Sequence, residues 1–398
     1  MQCYLTLFII NLNKYKVKNL SLFVLLILVS AMGFAQQSNP ALTQSTAQRI
    51  LSSQTGSPVT LGGYAEIKYN QPDGKNGTLD AHRVIAFIAY RFDDKLQFVS
   101  EIEFEHAAVL EVEQAFVNYN LANAFNLRAG LMLVPFGITN LYHEPTTYNG
   151  VNRPSLNKYI VPSTWREVGV GFAGTDYATS LSYEAYLFNG VRSLDSEGNG
   201  VIGGKSGIRS GRQSAEKAKM DSPSLAAKVD YFGINGLRAA VSGFFGRTVA
   251  DDAFMDVTGA TVGISMIGAD YRYVNGRFTS RGEFVTASLS DTEAYNQLTG
   301  KKLGSGFAGG YLEVAYNLLP QEQKKKLDAF VRYQEYDTHA KTAGNLVKND
   351  AYDRNDITFG LSFHPTPGVV FKGDYQILGD QTNNDLGNQI NFGVGVWF

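Results

Sequence analysis

Apolar and polar residues alternate along most of the chain from residue 59 onward, in short runs bounded by turn-forming residues. In the closing run, Ile390, Phe392, Val394, Val396 and Phe398 occupy every second position, so they share one face of a strand. We count about sixteen such runs, at residues 61–69, 82–92, 95–106, 111–121, 125–134, 166–174, 179–188, 224–232, 237–246, 263–273, 277–287, 310–318, 327–336, 357–364, 369–376 and 389–398. The pattern predicts an all-β fold.

The connections between these runs alternate in length. Short turns fall at 93–94, 121–124, 233–236, 274–276 and 364–368. Between them lie longer polar segments at 71–81, 135–165, 189–223, 247–262, 288–309, 337–356 and 377–388, with one short exception at 106–110. An even strand number with this parity predicts a transmembrane antiparallel β-barrel, with long external loops and short periplasmic turns. A soluble β-sandwich would explain the strands but not the parity of the loops.

The charged side chains of the strands indicate which face lines the lumen. A charge on the lipid face costs ~2–4 kcal/mol at mid-membrane, so we expect these side chains to point inward. They are Lys95, Glu101, Glu103, Glu105, Arg128, Glu184, Lys228, Asp230, Arg238, Asp270, Arg272, Arg281, Glu283, Glu313, Asp328, Arg332, Lys372 and Asp374. Strand 82–92 is ambiguous, because apolar residues lie on both of its faces.

The N-terminal segment has the pattern of a secretory signal. Three lysines precede an apolar run at 20–35, and small residues at Gly33 and Ala35 suggest cleavage after Ala35. A membrane anchor fits less well, because the run is shorter than the ~20 residues of a spanning helix. We therefore expect a signal peptide at 1–35, a periplasmic segment at 36–58 and the barrel at 59–398. Residues 43–53 have the composition of a short helix, placed in the periplasm, in the lumen or within a linker.

Composition supports this interpretation. The charged fraction is 18%, below the usual quarter, whereas 22 Tyr and 25 Phe suit the aromatic belts of a membrane barrel. The single cysteine, Cys3, precedes the export segment. Removal of that segment lowers Lys+Arg from 35 to 32 against 37 acids, so the net charge falls from −2 to −5 and argues against nucleic-acid binding. Export and a wide barrel with a charged lumen predict a water-filled channel for small hydrophilic solutes or ions in the outer membrane of a Gram-negative bacterium.

Other clusters suggest less specific chemistry. Glu101, Glu103 and Glu105, with Glu111 and Glu113 beyond the next turn, form an acidic patch. It suits Ca²⁺ or, in our preferred interpretation, pairs with lumen arginines such as Arg83 or Arg128. The basic residues of segment 189–223 suit either anion attraction or a solvated loop. The motifs GxSxG, HExxH and GxxxxGK[ST] are absent, so we predict no enzyme, no cofactor and no metal site. A barrel hydrolase and a closed structural or adhesion barrel remain the alternatives.

Residues 61–174 resemble the phosphate-selective porin O and P family and related Bacteroidetes porins. The resemblance rests on the sequences AHRVIAFIAY, FVSEIEFEH, LRAGLMLVPFG and STWREVGVGFAG. It implies an outer-membrane porin that contacts lipid and forms a homotrimer. The inward list, with Arg166 added, holds nine positive and ten negative side chains, so it predicts no anion funnel. The lysine run 324–326 falls in a predicted periplasmic turn.

The resemblance to porins also implies an inward-folded third external loop, at 134–167, that narrows the pore. The candidate constriction residues are Arg128, His143, Glu144, Arg153, Lys158, Arg166 and Glu167. A ring of such charges would orient passing solutes. The alternative is a loop packed against the barrel wall with its charges in pairs.

Overall fold

The computed structural model describes residues 46–52, 57–122, 124–382 and 386–398, in which sixteen antiparallel strands form one closed barrel. The strands are β1 Val59–Pro72, β2 Thr78–Arg91, β3 Leu96–Glu105, β4 Val109–Ala122, β5 Phe125–Leu133, β6 Arg166–Asp176, β7 Leu181–Phe188, β8 Ser224–Ile234, β9 Leu237–Arg247, β10 Gly263–Asn275, β11 Phe278–Ser290, β12 Gly306–Asn317, β13 Lys326–Lys341, β14 Asp353–Thr366, β15 Val369–Asp380 and β16 Gln389–Trp397. The predicted fold is confirmed. The proposed signal peptide at 1–35 lies outside the described residues.

Helical structure is sparse. The helices are α1 Thr46–Ser52, α2 Leu156–Tyr159 and α3 Thr292–Thr299, with single 3-10 turns at Arg209–Gly211, Asp252–Phe254 and Asp350–Tyr352. Within the part of the chain that the structure describes, no helix has the length and apolar character needed to cross a membrane.

The last strand closes the barrel against the first. The β1–β16 register runs from Tyr64 opposite Trp397 to Pro72 opposite Gln389. Beyond it, the Gly63 and Phe398 amides each donate to the other's carbonyl at 2.9 Å. This pairing leaves no strand edge open, as a membrane barrel requires.

Burial alternates along the strands, with one face toward the lumen and one toward the outside. In β2, Arg83, Ile85 and Phe87 are buried inside, whereas Val84 and Ile88 are exposed outside, which resolves the ambiguous strand. The outer surface carries exposed apolar side chains around the barrel, among them Leu225, Val229, Val241, Phe284, Val331, Phe371 and Phe392.

Several strands extend further than the alternating pattern indicated, among them β1, β2, β13 and β14. The β1–β2 connection is only 73–77 rather than 71–81, and the β13–β14 connection is 342–352 rather than 337–356. The ladder hydrogen bonds continue where the side chains no longer alternate. The parts of a strand that extend beyond the lipid need no apolar face, so the alternation of apolar and polar residues stops before the strand ends.

Helix α1 packs against the lumen side of the barrel wall. The Arg49 guanidinium lies 4.1 Å from the Trp397 ring centroid, and Ile50 packs on the cluster Tyr64, Ile85 and Phe87. Gln97 Nε2 donates to the Leu51 carbonyl at 3.3 Å. Among the predicted placements of 43–53, the described helix therefore occupies the lumen. The remainder of the predicted periplasmic segment is described only from residue 57.

Candidate functional site

The β5–β6 connection, residues 134–165 (loop 3), lies inside the barrel. Its apolar side chains Val134, Phe136, Ile138, Leu156 and Trp165 are at most 1% exposed. They belong to a core that includes lumen-facing side chains of the strands. The Trp165 ring, for example, lies 4.5 Å from that of Phe244 on β9. Burial of this apolar surface favours the inward position of the loop over an extended one.

Charged side chains of the wall bind the backbone of loop 3. Lys228 Nζ donates to the Gly137 carbonyl at 2.6 Å, and a Glu283 carboxylate oxygen accepts from the Ile138 amide at 3.2 Å. Gly137 has φ +68°, and a Cβ there would stand 2.2 Å from Glu283 Oε1, so glycine is required for this approach. These strand charges were expected to face water, but they satisfy buried backbone groups instead.

A charge network on the neighbouring strands holds the middle of the loop. Glu313 on β12 lies 2.8 Å from Arg281 Nη2 and 3.3 Å from Arg332 Nη1. The same two guanidinium groups donate to the carbonyls of Thr147, Asn149 and Asn152. One carboxylate therefore holds two arginines in place, and these two bind three backbone carbonyl groups of loop 3.

Contacts with the strands on either side of this network complete the attachment. Arg272 lies 3.7 Å from the centroid of Tyr142, and Lys372 Nζ lies 3.7 Å from that of Tyr148. The Tyr148 hydroxyl donates to Glu66 on β1 at 2.8 Å. Loop 3 leaves the wall at β5 and returns to it at β6, yet it contacts Arg332 on β13, on the far side of the sixteen-stranded barrel, so it crosses the lumen.

A cavity of about 1030 Å³, here called the vestibule, lies between loop 3 and the long-loop end of the barrel. Its cationic lining residues are Lys68, Lys75, Arg83, Arg153, Lys158, Arg166, Lys205, Arg209, Arg212 and Arg354, and its acidic ones are Asp80, Glu103, Glu105, Glu111 and Asp380. The vestibule lining therefore has twice as many cationic as acidic side chains, whereas the sequence predicted nearly equal numbers in the lumen. That count included many side chains that bind loop 3 and do not face the cavity.

Three predicted constriction residues line the vestibule. Arg153 donates to Thr164 Oγ1 at 3.2 Å and to the His143 carbonyl at 3.1 Å, so it joins two parts of loop 3. Arg166 pairs with Glu111, and Lys158 is exposed above the Tyr159 ring. Arg153 and Lys158 form part of the cavity floor.

The structure does not bring the other four candidates to the vestibule. Glu167 is fully buried and accepts hydrogen bonds from Trp165 Nε1 and Asn189 Nδ2. These two donors hold Glu167 on the side of loop 3 that faces away from the vestibule. The sequence does not predict these hydrogen bonds. His143 and Glu144 are buried within loop 3, at 3% and 2% exposure.

Arg128 lies on the β5 wall away from the vestibule. It donates to the Tyr186 hydroxyl at 3.0 Å and approaches Glu184 at 3.4 Å. Its charge is thus paired within the strands, near the short-turn end where β5 begins.

The acidic patch has different partners from those predicted. Glu101 and Glu103 are buried and Glu105 is partly exposed at the vestibule. Neither named arginine pairs with the patch, since Arg83 lies 3.4 Å from Glu66 and Arg128 lies 3.4 Å from Glu184, but Glu111 of the patch pairs with Arg166. Glu101 instead accepts from Gln114 and lies 3.5 Å from His143 Nε2. This histidine comes from loop 3, whose path cannot be predicted from the strand pattern.

The β7–β8 connection, residues 189–223 (loop 4), covers one side of the vestibule. Arg212 Nη1 donates to the carbonyl oxygens of Ser163 and Thr164, and Arg209 donates to Ser163 Oγ at 3.1 Å. Val191 and Ile202 are buried, so the interpretation as a solvated loop is wrong for this part.

The arginines of loop 4 are held close to one another. Burial and the nearby Arg153 charge lower the pKa of Arg209, whereas burial, Arg209 and Arg166 lower the pKa of Arg212 to about 10. Mutual repulsion of this kind is relieved by a bound anion. The cluster therefore favours negative charge in the vestibule.

Comparison with known proteins supports the architecture. No family model matches the chain, so membership of the phosphate-selective porin O and P family stays a prediction. Solved structures with the same fold include the outer-membrane channel DcaP of Acinetobacter baumannii (TM-score 0.57, 13% identity, 87% of this chain and 99% of that one). The anion-selective porin from Comamonas acidovorans is similar (TM-score 0.54, 13% identity, 85% and 99%). So is OmpT of Vibrio cholerae in a trimer form (TM-score 0.54, 12% identity, 85% and 99%).

These structural similarities show the fold, and the predicted antiparallel β-barrel of sixteen strands is confirmed. A sequence relative is nearer: an uncharacterized protein of Aquifex aeolicus strain VF5 is 33% identical over 353 residues, which cover 82% of this chain and 78% of that protein. The chain, a closed sixteen-stranded barrel, thus belongs to the same family as this Aquifex aeolicus protein.

Proposed function

We propose that the protein is an outer-membrane porin of a Gram-negative bacterium, forming a water-filled channel for passive diffusion of small hydrophilic solutes or ions. The observation that carries this proposal is the open vestibule of about 1030 Å³, floored by loop 3 within a closed barrel. In this proposal loop 3 is the constriction, with Arg153 and Lys158 at the vestibule side. The exposed apolar outer face supports contact with lipid.

Export and assembly complete the proposal. Residues 1–35 serve as a cleaved signal peptide, so the mature chain begins at Gln36. By analogy with the trimer form of Vibrio cholerae OmpT, the barrels assemble as a homotrimer. Light scattering of the purified protein in detergent measures this mass directly, and a monomeric mass contradicts the trimer.

The vestibule also supports a preference for anions. Its lining carries ten cationic and five acidic side chains. Arg166 is paired with Glu111, and Lys68 and Arg83 with Glu66, and the remaining cations still outnumber the remaining acids. A concave surface of one charge raises the local concentration of counter-ions. Phosphate is one such anion, in line with the sequence resemblance, but the lining does not single it out.

Planar-bilayer recording of the purified full chain tests the channel proposal. We expect discrete conductance steps, and in a salt gradient a reversal potential of the sign expected for anions. A barrel that inserts, shows folded mobility on gels and gives no steps contradicts the channel. Steps with a cation-selective reversal potential contradict only the anion preference.

Reversing one charge in the vestibule tests the source of selectivity. Lys158→Glu is expected to lower the anion-to-cation permeability ratio severalfold, because Lys158 is exposed in the cavity. Reversal potentials are measured at low ionic strength, where screening is weak. Lys325→Glu is the matched control, since Lys325 is exposed in the short β12–β13 turn. Equal shifts in both variants contradict a role for the vestibule.

The closed-barrel alternative has one observation in its favour. Loop 3 and α1 together fill part of the lumen with apolar side chains such as Phe136 and Ile50. A bilayer that stays silent would favour this alternative over the porin. The barrel-enzyme alternative has weaker support. In the acid–histidine group Asp80, His82 and His106, both histidines contact Asp80, and His106 also contacts Glu105. These contacts include no hydroxyl group that could act as a nucleophile.

A further inference from the structure

A buried cluster of three ligand-type side chains joins loop 3 to the barrel wall. Glu101 on β3 and Glu113 on β4 are fully buried, and His143 of loop 3 is 3% exposed. Their ligand atoms all lie within 4.8 Å of one another. We propose that Glu101, Glu113 and His143 bind one divalent transition-metal ion of the Zn²⁺ class, which secures the first half of loop 3 to the wall. This differs from the sequence-based expectation of no metal site.

The distances fit a metal centre. His143 Nε2 lies 3.2 Å from Glu113 Oε2 and 3.5 Å from Glu101 Oε1. Tetrahedral Zn²⁺ with bonds of ~2.1 Å to nitrogen and oxygen separates neighbouring ligand atoms by about 3.4 Å. A small shift of the three side chains therefore suffices to place an ion among them. Imidazole with two carboxylates is a donor set that suits Zn²⁺ and its first-row neighbours.

Unsatisfied polar atoms point into the cluster. Both carboxylate oxygens of Glu113 and Nε2 of His143 are buried without a hydrogen-bond partner. A bulge between β3 and β4 pairs Glu101 with Gln114 and Ile102 with Val112, so Glu113 is the extra residue. The bulge turns Glu113 and Gln114, consecutive in sequence, both toward the lumen. Bulges often re-aim side chains in this way next to functional sites.

Outer hydrogen bonds orient the ligands. His143 Nδ1 lies 3.1 Å from the Asn140 carbonyl, so an N–H at Nδ1 leaves the Nε2 lone pair facing the two carboxylates. Gln114 Nε2 donates to Glu101 Oε2 at 2.6 Å, and the Tyr64 hydroxyl donates to Glu101 Oε1 at 3.3 Å. Ligating histidines and carboxylates in metal sites are held by partners of this kind.

Charge balance favours a divalent ion over a proton. An imidazolium with two carboxylates leaves one net negative charge among fully buried groups, which is costly. A divalent cation with a neutral imidazole brings the three side chains to zero. Arg83 on β2 already pairs with Glu66 at 3.4 Å, and the buried Glu103, which contacts Glu113, adds a further acidic group beside the cluster.

A second acid–histidine group provides the matched control. Asp80, His82 and His106 also cluster, at the rim of the vestibule, but they are partly exposed and already paired, with His106 Nδ1 2.8 Å from Asp80. His106→Ala therefore removes a histidine of the same chain without touching the buried cluster.

Metal content of the purified full chain tests the proposal. The protein in detergent is stripped with EDTA, supplied with Zn²⁺, dialysed and measured by mass spectrometry of the metal. We expect wild type and His106→Ala to retain a single equivalent, and His143→Ala and Glu113→Gln to lose most of it. Zn²⁺ should also raise the melting temperature of wild type but not of Glu113→Gln, because only a folded site gains from binding.

The proposal is overturned if stripped wild type retains no Zn²⁺, or if a His143→Ala protein retains as much Zn²⁺ as wild type. Loss of the metal in His106→Ala alone assigns it to the rim and overturns it equally. Because His143→Ala removes packing, its fold is checked by gel mobility. If it does not fold, the nearly isosteric Glu113→Gln and the stripped wild type decide the outcome. None of these measurements depends on channel activity.

Discussion

Removal of residues 141–161, with a short Gly-Ser linker in their place, is expected to raise single-channel conductance severalfold. These residues form the part of loop 3 that crosses the lumen, from Tyr142 under Arg272 to Leu156, whose amide donates to Gln334. The two ends of loop 3 are kept, because Asn140 joins them by hydrogen bonds. Its Nδ2 donates to the carbonyls of Val134 and Trp165, and its Oδ1 accepts from the Trp165 amide. Without the crossing segment, a sixteen-stranded barrel leaves an aqueous channel.

The control for this deletion is removal of 343–347 from the β13–β14 connection. That segment is half-buried to exposed and lies among the long loops outside the strands. Planar-bilayer conductance should match wild type in this variant. A loop 3 deletion that folds, inserts and conducts no better than wild type contradicts loop 3 as the constriction.

Glu313→Gln is expected to destabilise the barrel strongly, by about 3–5 kcal/mol, because it leaves buried charge without its partner. Glu313 is 2% exposed and binds both Arg281 and Arg332, of which Arg332 is fully buried. Their remaining acceptors are carbonyls of loop 3, so the variant should also loosen that loop. Denaturant unfolding in detergent, followed by the fluorescence of buried Trp165, measures the change.

Asp291→Asn removes the same charge from a solvent-exposed pair and serves as the control. Asp291 and Arg247 are 48% and 50% exposed, and surface pairs contribute only ~0–1 kcal/mol. Asn also tolerates the left-handed backbone at this position, where φ is +60°. Similar free energies of unfolding for the two variants contradict a special role of the Glu313 network.

Several features were predictable from the residues alone. Strand positions, their even number and the outward face of β16 followed from period-two alternation, because a strand between lipid and lumen must separate apolar from polar side chains. The inward position of Glu283 and Arg332 followed from the cost of charge in lipid. What these residues bind did not follow, since their partners are backbone groups of loop 3 more than a hundred residues away in sequence.

One signal for the loop was present in the sequence but carried little weight. A segment assigned as an external loop contains Val134, Phe136, Ile138, Ile160 and Trp165, more apolar character than a solvated loop needs. Such density indicates packing. It does not indicate which strands the loop packs against. The sequence therefore could not show that Arg153 faces the vestibule whereas Glu167 is buried away from it.

The sequence by itself determined the barrel, because alternation along a strand is a local property that lipid enforces at every residue. Only the tertiary structure decided which lumen charges face water and which hold loop 3. That division depends on contacts between segments far apart in the chain. The same holds for the metal-type cluster. A β-bulge turns Glu113 inward, and His143 of loop 3 contacts it there. A period-two pattern predicts neither a register shift nor the path of a loop.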